Sequence, residues 1–493
     1  MQRAKDTRQR PRSLTGEGMI VHKFGGTSLG DAQCFSNVAD IVVAYQHRGE
    51  DPTTAGTVVV VSAMSGVTEQ LIAGARAAAD GKDSVYREIK AGLLTRHLEV
   101  VETLLTRSRE RLDVGGLVED RLHELERFYR SIAMLGELTA RGCDAVASFG
   151  EHLSSSILAA VLREREVRAQ AISATDLIVT DDSFGAAMPL MDRTRRRLQQ
   201  QIAPLVERGV IPVITGYVAA TEEGVTTTLG RGGGDFSAAI VGAGLDADEV
   251  WIWSDVDGIL TADPNIVPYA RTLTELAYTE AADLAYFGAD VLHPKTIRPV
   301  IEGRIPLRIV NSFNPGHPGT LIVESPSADR EVLPAIISST GLSLIAVGSQ
   351  DDSWALQMAA RGLQVLSDAG VDVLMFSQSF SEHSLNLIVR KQDQAHCLGI
   401  LKRELENGKP GSKFSLGLKE QVATISVVGV PDWNGNGIAS RAFAALGKQG
   451  TRVIAVAQAA TEHSVSFCVP EDQVSDTVRC LHRELGLEGG GRT

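Results

Sequence analysis

A chain of 493 residues is long enough for roughly two to four folding units, each with its own core. Its 61 acidic and 48 basic residues give a net charge of -13, which repels nucleic acid and anionic membranes and excludes both as expected partners. The five cysteines form no CxxC or CxxH pair, which argues against a zinc site or a disulfide framework. No apolar run suggests a signal peptide or a membrane span, so residues 1–18 are predicted to be a disordered tail of a cytoplasmic protein.

Two short strands, each followed by a turn that contains glycine, are predicted near the start of the chain. Residues 19–24 form an apolar run that ends at Gly25 and Gly26, and a helix is expected from about Asp31. Residues 57–61 are a β-branched run, and a second turn follows at residues 62–66. Each run is therefore predicted to be a buried strand that leads through a tight turn into a helix.

The following region alternates between helical and strand patterns. Residues 83–162 show mostly helical periodicity, and short apolar runs return at residues 170–172, 210–214 and 249–254. Strands that alternate with helices predict an α/β fold with a largely parallel sheet covered on both faces. This unit is predicted to span residues 19–325.

The C-terminal region contains an internal repeat with an offset of 80 residues. Residues 378–384 align with residues 458–464, and both segments begin with Gln and end in Glu-His-Ser. Each copy has the pattern βαββαβ, which predicts two ferredoxin-like modules. The modules are predicted at residues 332–415 and 416–487, before a short tail at 488–493.

The turn Lys23-Phe24-Gly25-Gly26-Thr27-Ser28 has the features of an anion site. It places a cation at a strand end and two glycine amides at the start of a helix, where the N–H groups and the helix dipole attract anions. It matches neither the P-loop pattern nor GxGxxG. We interpret it as a candidate phosphate site, with a plain structural turn as the alternative.

A second glycine-rich segment places three adjacent glycines between Arg231 and Asp235. Glycines allow the backbone to approach a ligand closely, and Arg231 offers a planar fork for a carboxylate. Asp235 begins the next helix, where a simple N-cap is the alternative to a catalytic role. Glu151 also stands at a helix start, where an acid is ordinarily solvated and favoured by the helix dipole.

Three carboxylates, Asp255, Asp257 and Asp263, follow the strand that ends at Ser254. A strand-end loop with these groups could meet a ribose, an adenine edge or Mg²⁺. Calcium is not indicated, because the spacing of an EF-hand loop is absent.

Taken together and in this order, these motifs resemble those of aspartate kinase. The matching segments are residues 23–28, 59–68, 149–151, 229–239, 253–264 and 287–294, and the repeat resembles the two ACT modules of that family. The resemblance implies the α/β amino-acid kinase fold, a largely parallel sheet sandwiched by helices, plus two ferredoxin-like βαββαβ ACT modules. It also implies that ATP phosphorylates aspartate to 4-phospho-L-aspartate, the first step toward lysine, threonine and methionine. The first module is usually inserted in the second, so residues 332–338 are expected to supply a strand to the second module.

The resemblance implies roles for individual residues. Lys23 would stabilise charge on the transferred phosphoryl group and Asp235 would orient Lys23. The predicted phosphate and nucleotide residues are Gly25, Gly26, Ser28, Ser254, Asp255 and Asp263. The predicted substrate residues are Ser62, Thr68, Glu151 and Arg231, with Arg231 on the α-carboxylate and Glu151 on the ammonium group. Mg²⁺ would be carried by ATP, and no metal site of the protein itself is predicted.

Four positions differ from the residues that the family often carries. They are Gly234 in place of Ser, Leu260 in place of Tyr, Asn265 in place of Arg, and Asp290 in place of Lys. The last change puts an acid where the family has a cation near the nucleotide phosphates, although Lys295 or Arg298 could compensate. The alternatives are therefore a catalytically weak ACT protein that senses amino acids, or a sibling kinase of glutamate, acetylglutamate or carbamate.

An amino-acid effector is expected in the repeat, and the paired modules suggest a homodimer or a higher homo-oligomer. Gln378 and Gln458 occupy equivalent strand ends. A glutamine amide both donates and accepts, which suits the hydroxyl of threonine, whereas lysine would call for a carboxylate. The resemblance points the same way, because threonine-sensitive members carry Gln here. The alternative is that both glutamines cap strand ends.

Overall fold

The computed structural model describes residues 18–46, 56–286, 294–349, 352–379, 384–406, 414–429, 437–458 and 464–488. These residues divide between two compact units. The first unit lies within Met1–Gly258, Thr274–Tyr278 and Val291–Ala328, and the second within Ile259–Leu273, Thr279–Asp290 and Asp329–Thr493.

In chain order, the helices and strands of the first two thirds of the chain are β1 (Ile20–Phe24), α1 (Ala32–Gln46), β2 (Thr57–Val61), α2 (Val67–Ala79), α3 (Asp83–Leu104), α4 (Ser108–Leu135), α5 (Ala140–Ala147), α6 (Phe149–Glu164), β3 (Ala169–Ile172), α7 (Met191–Gln201), α8 (Ala203–Glu207), β4 (Ile211–Thr215), β5 (Val218–Ala220), β6 (Thr226–Thr228), α9 (Gly233–Leu245), β7 (Glu249–Ser254), β8 (Glu275–Ala277), α10 (Tyr278–Tyr286), α11 (Pro294–Gly303), β9 (Leu307–Asn311) and β10 (Thr320–Val323). The remaining elements are β11 (Ala335–Ser349), α12 (Asp352–Asp368), β12 (Met375–Ser379), β13 (Ser384–Arg390), α13 (Gln394–Glu406), β14 (Phe414–Val428), α14 (Ile438–Gln449), β15 (Ala455–Gln458), β16 (Ser464–Pro470) and α15 (Val474–Glu484).

The first unit is built on an eight-stranded sheet with the order β3-β4-β2-β1-β7-β9-β10-β8. Neighbouring strands are parallel except for the antiparallel pair β9 and β10. The residues of β2 and β4 are all buried, as expected for strands covered by helices on both faces. The predicted α/β class and the five strands predicted from the sequence in this unit are confirmed. Strands β5, β6, β8, β9 and β10, which are three to five residues long, were not predicted.

Helices α3 to α6 occupy the region that the sequence predicts to be helical, and they share one apolar core with β1 and β2. The stretch Ala140–Glu164 is long and apolar enough, by length and composition, to cross a membrane. However, 83% of its most apolar window is buried inside the protein. This burial is what a core helix of a folded domain requires, because such a helix is apolar on every side.

The second unit takes up a hairpin from the middle of the chain, within residues Ile259–Leu273. Ala262 and Val267 are buried in its core together with Phe467 and Leu481. Residues 259–273 thus fold with the C-terminal region, although the linear domain prediction assigned them to residues 19–325.

The second unit contains a six-stranded sheet with the order β12-β13-β11-β14-β16-β15. All its strand pairs are antiparallel. The register repeats with the offset of 80 found in the sequence: Met375 pairs with Ile388, and Ala455 pairs with Cys468. Leu342 pairs with Val422, its own equivalent in the repeat. The two modules are therefore related by a pseudo-two-fold axis at this pair.

The two long strands β11 and β14 serve both modules. The first half of β11 pairs with the end of β14, from Ala335 with Val428 to Ser339 with Thr424. This half lies beside the strands of the second module, whereas the second half of β11 also pairs with β13 of the first module. The predicted boundary at residues 415 and 416 consequently falls inside β14, because one continuous strand belongs to both modules.

Candidate active site

The candidate site lies where parallel strands of the first unit end. Strands β1, β2, β4 and β7 are neighbours and run in one direction, so their carboxyl ends lie at one edge of the sheet. The backbone ties these ends together: Ser62 N donates to Phe24 O at 3.1 Å, and Gly216 N donates to Val61 O at 2.7 Å. In open α/β sheets, ligands bind in the crevice outside such strand ends.

Lys23 and Asp235 form the central ion pair of this edge. Lys23 Nζ lies 2.5 Å from Asp235 Oδ1, and the two side chains are only 11% and 17% exposed. Asp235 lies in the first turn of α9, and the N-cap of that helix is Gly232, with a left-handed φ of 70°. Asp235 is therefore not the N-cap that the sequence allowed as an alternative. Its carboxylate holds the lysine instead.

Glycines allow two segments, at Gly25 and at Gly234, to approach Lys23 closely. A Cβ atom on Gly25 would lie 3.3 Å from Lys23 Nζ. A Cβ atom on Gly234 would lie 2.8 Å from Ser62 Oγ and 3.2 Å from Lys23 Cε. Gly234, which departs from the residue common in the family, thus leaves room for the Ser62 hydroxyl beside the lysine. Gly26 lies against the second loop, where its carbonyl accepts a hydrogen bond from Ser65 N at 3.2 Å.

Glu151 is a buried carboxylate in the first turn of α6. The residue is 3% exposed, and its Oε2 has no hydrogen-bond partner among the described residues. Burial raises the pKa of Glu151 to about 8, although the backbone amides of Glu151 and Ala63 bond to the carboxylate and oppose the shift. A buried acid with one open oxygen is suited to a cation that arrives with a ligand.

The substrate residues predicted from the sequence lie on loops that pack against these groups. Ser62 and Thr68 are half-buried. The loop that joins them packs on α6, since a Cβ atom on Gly150 would lie 2.5 Å from Ala63 Cβ and 3.2 Å from Val67 Cγ1. Arg231 is exposed, between two glycines of left-handed φ.

The predicted nucleotide residues have more varied surroundings. Ser28 is 1% exposed, and its hydroxyl shares a hydrogen bond of 2.8 Å with Ser312 Oγ, so in this structure it links two loops. Ser254 Oγ donates to Asp255 Oδ1 at 3.2 Å on the exposed side of the loop. Asp257 Oδ1 accepts from Asn311 Nδ2 at 2.9 Å. The loop after β7 is therefore anchored to β9.

Asp263 and the nearby departures lie in the hairpin of the second unit. Asp263 Oδ1 accepts hydrogen bonds from Asn265 N at 2.8 Å and from Asn265 Nδ2 at 3.0 Å. Leu260 forms a bridge with Thr272 across the hairpin. These contacts give Asp263 and Asn265 a turn-forming role. Asp290 lies outside the residues that the structure describes, and so does the side chain of Lys295.

Two further residues near the site, Tyr217 and Asp144, were not predicted from the sequence. Tyr217 has a φ of 64°, which is unusual for a residue with a side chain, and burial raises its pKa, with the Glu151 charge as a smaller cause. Asp144 is 2% exposed and accepts from Thr228 Oγ1 at 2.7 Å and from two backbone amides. Burial raises the pKa of Asp144 as well. The signals were weak: a Tyr directly after a strand and Gly216, and a lone Asp in an apolar helix.

The two predicted effector residues lie on the end strands of the six-stranded sheet. Gln378 on β12 pairs with Leu385, and Gln458 on β15 pairs with Val465, which are again equivalent positions. Strands β12 and β15 are at opposite ends of the sheet order, yet they lie against each other. The Glu-His residues that follow each glutamine are outside the described part of the chain.

Comparison with known proteins identifies the fold. The sequence profile of the Amino acid kinase family matches residues 18–311, and that of an ACT domain matches residues 425–485. Aspartokinase 1, chloroplastic, of Arabidopsis thaliana is 32% identical over 476 residues, which are 95% of this chain and 80% of the relative. The chain spans about half (51%) of a bifunctional aspartokinase/homoserine dehydrogenase that it also matches.

Two crystal structures of E. coli aspartokinase III have similar folds, each 27% identical and covering 95% of this chain. The structure in complex with aspartate and ADP (R-state) is covered completely (100%) and has a TM-score of 0.78. The structure in complex with lysine and aspartate (T-state) is covered to 99% and has a TM-score of 0.75. The kinase fold agrees with these matches, and the chain belongs to the aspartokinases of the amino acid kinase family.

Proposed function

We propose that this aspartate kinase transfers the γ-phosphoryl group of ATP to the β-carboxylate of L-aspartate and releases 4-phospho-L-aspartate and ADP. An oxygen of the β-carboxylate attacks the γ-phosphorus while the bond to the bridging oxygen of ADP breaks. The nucleophile is already an anion, so no general base is needed, and positioning and electrostatics carry the reaction. The observation that carries the proposal is the Lys23–Asp235 ion pair at the strand ends, beside the Ser62 loop.

The charged groups support distinct roles in this reaction. Lys23 neutralises charge that develops on the transferred phosphoryl group, and Asp235 fixes the position of its ammonium group. The amides of Gly25 and Gly26 bind phosphate oxygens. The described residues contain no cluster of three or more His, Cys, Asp or Glu side chains suited to a metal, and the proposal has Mg²⁺ bound by the ATP phosphates.

The substrate roles rest on burial and charge. The open oxygen of Glu151 accepts a hydrogen bond from the aspartate ammonium group, and this contact compensates the buried carboxylate. Arg231 binds the α-carboxylate through its planar fork. Ser62 and Thr68 position the reacting carboxylate. Ser254 and Asp255 line the nucleotide site, whereas the buried hydrogen bond of Ser28 argues for a supporting role for that residue.

We also propose feedback inhibition by an amino acid that binds to the second unit through Gln378 and Gln458. Their equivalent positions on strands that lie against each other support one shared groove. Threonine is favoured because a glutamine amide pairs with a hydroxyl. Lysine is the second candidate, because the E. coli enzyme of similar fold was crystallised with lysine. We further propose that the protein is a homo-oligomer and that it acts in the cytoplasm.

Hydroxylamine trapping of the acyl phosphate tests the reaction. The purified chain with MgATP should form a hydroxamate with aspartate, and not with glutamate, acetylglutamate or carbamate. Arg231→Ala should raise the aspartate KM by at least about tenfold, since a charge-assisted bidentate contact is lost. Absence of product with aspartate, or an unchanged KM in the variant, would contradict the proposal or the role of Arg231, respectively.

Separate titrations of threonine and lysine into the same assay test the regulation. Threonine should inhibit, and Gln378→Ala and Gln458→Ala should each raise the half-inhibitory concentration without changing the uninhibited rate. Inhibition by lysine alone, or by neither amino acid, would remove the threonine assignment. Light scattering on a sizing column reports the oligomeric state in each condition.

A further inference from the structure

Arg96 of α3 joins the two loops on which the proposed reaction depends. Its Nη2 donates to Gly30 O at 2.8 Å, and its Nη1 donates to Ser65 O at 2.7 Å. Gly30 ends the loop after β1, which begins at Gly25. Ser65 belongs to the loop after β2, which begins at Ser62. One guanidinium group therefore holds backbone carbonyls that lie 66 and 31 residues away in the sequence.

The geometry of a guanidinium makes this bridge rigid. Its N–H groups form a planar fork with fixed spacing, and hydrogen bonds from a charged donor are stronger than neutral ones. A direct backbone bond, from Ser65 N to Gly26 O at 3.2 Å, adds a second link between the loops. The Asp31 carboxylate, which also interacts with Arg96, accepts from Cys34 N at 2.9 Å and so fixes the start of α1.

We infer that Arg96 is a positioning residue, which sets the separation between the phosphate-binding loop at Gly25 and Gly26 and the substrate-binding loop at Ser62. The inference rests on the proposed function, in which the γ-phosphorus lies at the first loop and the attacking carboxylate at the second. A displacement of one loop relative to the other changes the distance between the reacting atoms. Rates fall steeply with such displacements, whereas each substrate keeps its own binding contacts.

We expect the fold to persist without this guanidinium. Helix α3 is anchored through Leu93, Val100 and Val101, which are at most 2% exposed and belong to the main core of the first unit. Arg96 itself is only half-buried. Replacing it should therefore leave the helix in place and release the two loops.

The test compares Arg96→Ala, Arg96→Lys and the control Arg87→Ala. Arg87 lies on the same helix, where it pairs with Asp83 at 3.6 Å and is 58% exposed. In the hydroxamate assay, Arg96→Ala should lower kcat by about tenfold to a hundredfold, while the KM values of aspartate and ATP change less than about threefold. Arg96→Lys should recover only part of the rate, because an ammonium group lacks the fork. Low millimolar guanidinium should partly restore Arg96→Ala and leave Arg87→Ala unaffected.

Urea unfolding of each variant separates positioning from folding. A kcat for Arg96→Ala within twofold of the wild type overturns the inference. So does a rate loss that is fully explained by a smaller folded fraction. If the wild-type chain phosphorylates a different acceptor, the proposed function fails, and the same comparison with that acceptor still decides the role of Arg96.

Discussion

The first unit gathers its candidate site from single residues on unrelated segments, whereas the second unit makes each of several strand pairings twice, 80 residues apart. Because the two modules share this arrangement, positions at which their residues differ can be compared directly. Ser426 and Ser466 share a buried hydrogen bond of 2.7 Å in the second module, where the first module carries Ala346 and Asn386. In the candidate site, by contrast, the Lys23–Asp235 ion pair has no second copy among the described residues. The comparison suggests that changes in the second unit act on stability in matched pairs, and that changes in the site act on rate individually.

The largest expected effect tests whether the two modules are equivalent. Leu387 on β13 and Phe467 on β16 are equivalent core residues, both 0% exposed. Replacing each with Ala should lower the free energy of unfolding of the second unit by about 2–5 and 3–5 kcal/mol, respectively, because each leaves a cavity. Urea titrations followed by circular dichroism measure the losses, with the 43% exposed Leu418→Ala as the control. A substantial loss of unfolding free energy in only one of the two core variants would show that the two modules do not contribute equivalently to stability.

Lys23→Met should have the largest effect on the rate. Loss of the cation that faces the developing charge should lower kcat by about a hundredfold to a thousandfold. Urea unfolding must be measured in parallel, because the substitution leaves the Asp235 carboxylate without its partner and should also lower the free energy of unfolding. Lys82→Met is the matched control, since Lys82 is 61% exposed and pairs with its near neighbour Asp80. Retention of more than a tenth of the rate in Lys23→Met would contradict the role of the ion pair.

The raised pKa of Glu151, about 8 because of burial, predicts the pH dependence of substrate binding. The free enzyme holds a protonated Glu151 below this pH, whereas the aspartate ammonium group needs the carboxylate. The aspartate KM should therefore fall by roughly 25-fold between pH 6.5 and 8.5 and then level off. Glu151→Gln should give a high KM that does not change with pH, and Glu166→Gln, with a side chain 85% exposed, should follow the wild type.

The same shift has a consequence for stability without substrate. A carboxyl group with a raised pKa in the folded state contributes stability below its unfolded value of 4.5, and this contribution is lost as the pH rises through about 8. The wild-type chain should therefore lose free energy of unfolding over this window relative to Glu151→Gln. Parallel urea titrations at several pH values measure the difference. A wild-type curve that runs parallel to that of the variant would show that Glu151 ionises normally.

The smallest effect concerns the hairpin within Ile259–Leu273, which belongs to the second unit. Thr261 Oγ1 and His482 Nε2 share a buried hydrogen bond of 3.0 Å, and Thr261 O accepts from Ile336 N at 2.8 Å. Thr261→Val removes the bond to His482 and also the bond that Arg271 N donates to Thr261 Oγ1 at 2.9 Å, which should together cost about 1–3 kcal/mol. Thermal unfolding measures the loss against Thr95→Val on the exposed face of α3. Equal unfolding temperatures for the two variants would mean that the hydrogen bonds of the Thr261 hydroxyl contribute nothing to the second unit.

Part of the site was predictable because its residues stand in motifs. Lys23, Gly25 and Gly26 follow a buried strand, and parallel strands bring such turns to one edge. The partner of Lys23 followed from the family resemblance. Ser28, by contrast, was predicted on the same turn, and the structure gives its hydroxyl a buried partner, Ser312, that lies 284 residues away. Asp263 was predicted in the nucleotide loop, and it caps a turn with its near neighbour Asn265.

The sequence by itself determined the α/β class, the strands β1, β2, β3, β4 and β7, and the register of the repeat. It could do so because the apolar pattern of a strand is local. The register of the repeat was also predictable, because residues 80 positions apart occupy equivalent places in the strand pairs of the two modules. The tertiary structure alone decided the burial of Glu151, the left-handed Tyr217 and the bridge made by Arg96. It also decided that residues 259–273 fold with the C-terminal modules. These features depend on which segments, far apart in the sequence, pack together. Neither the period of the hydrophobic pattern nor the residue type indicates which segments those are.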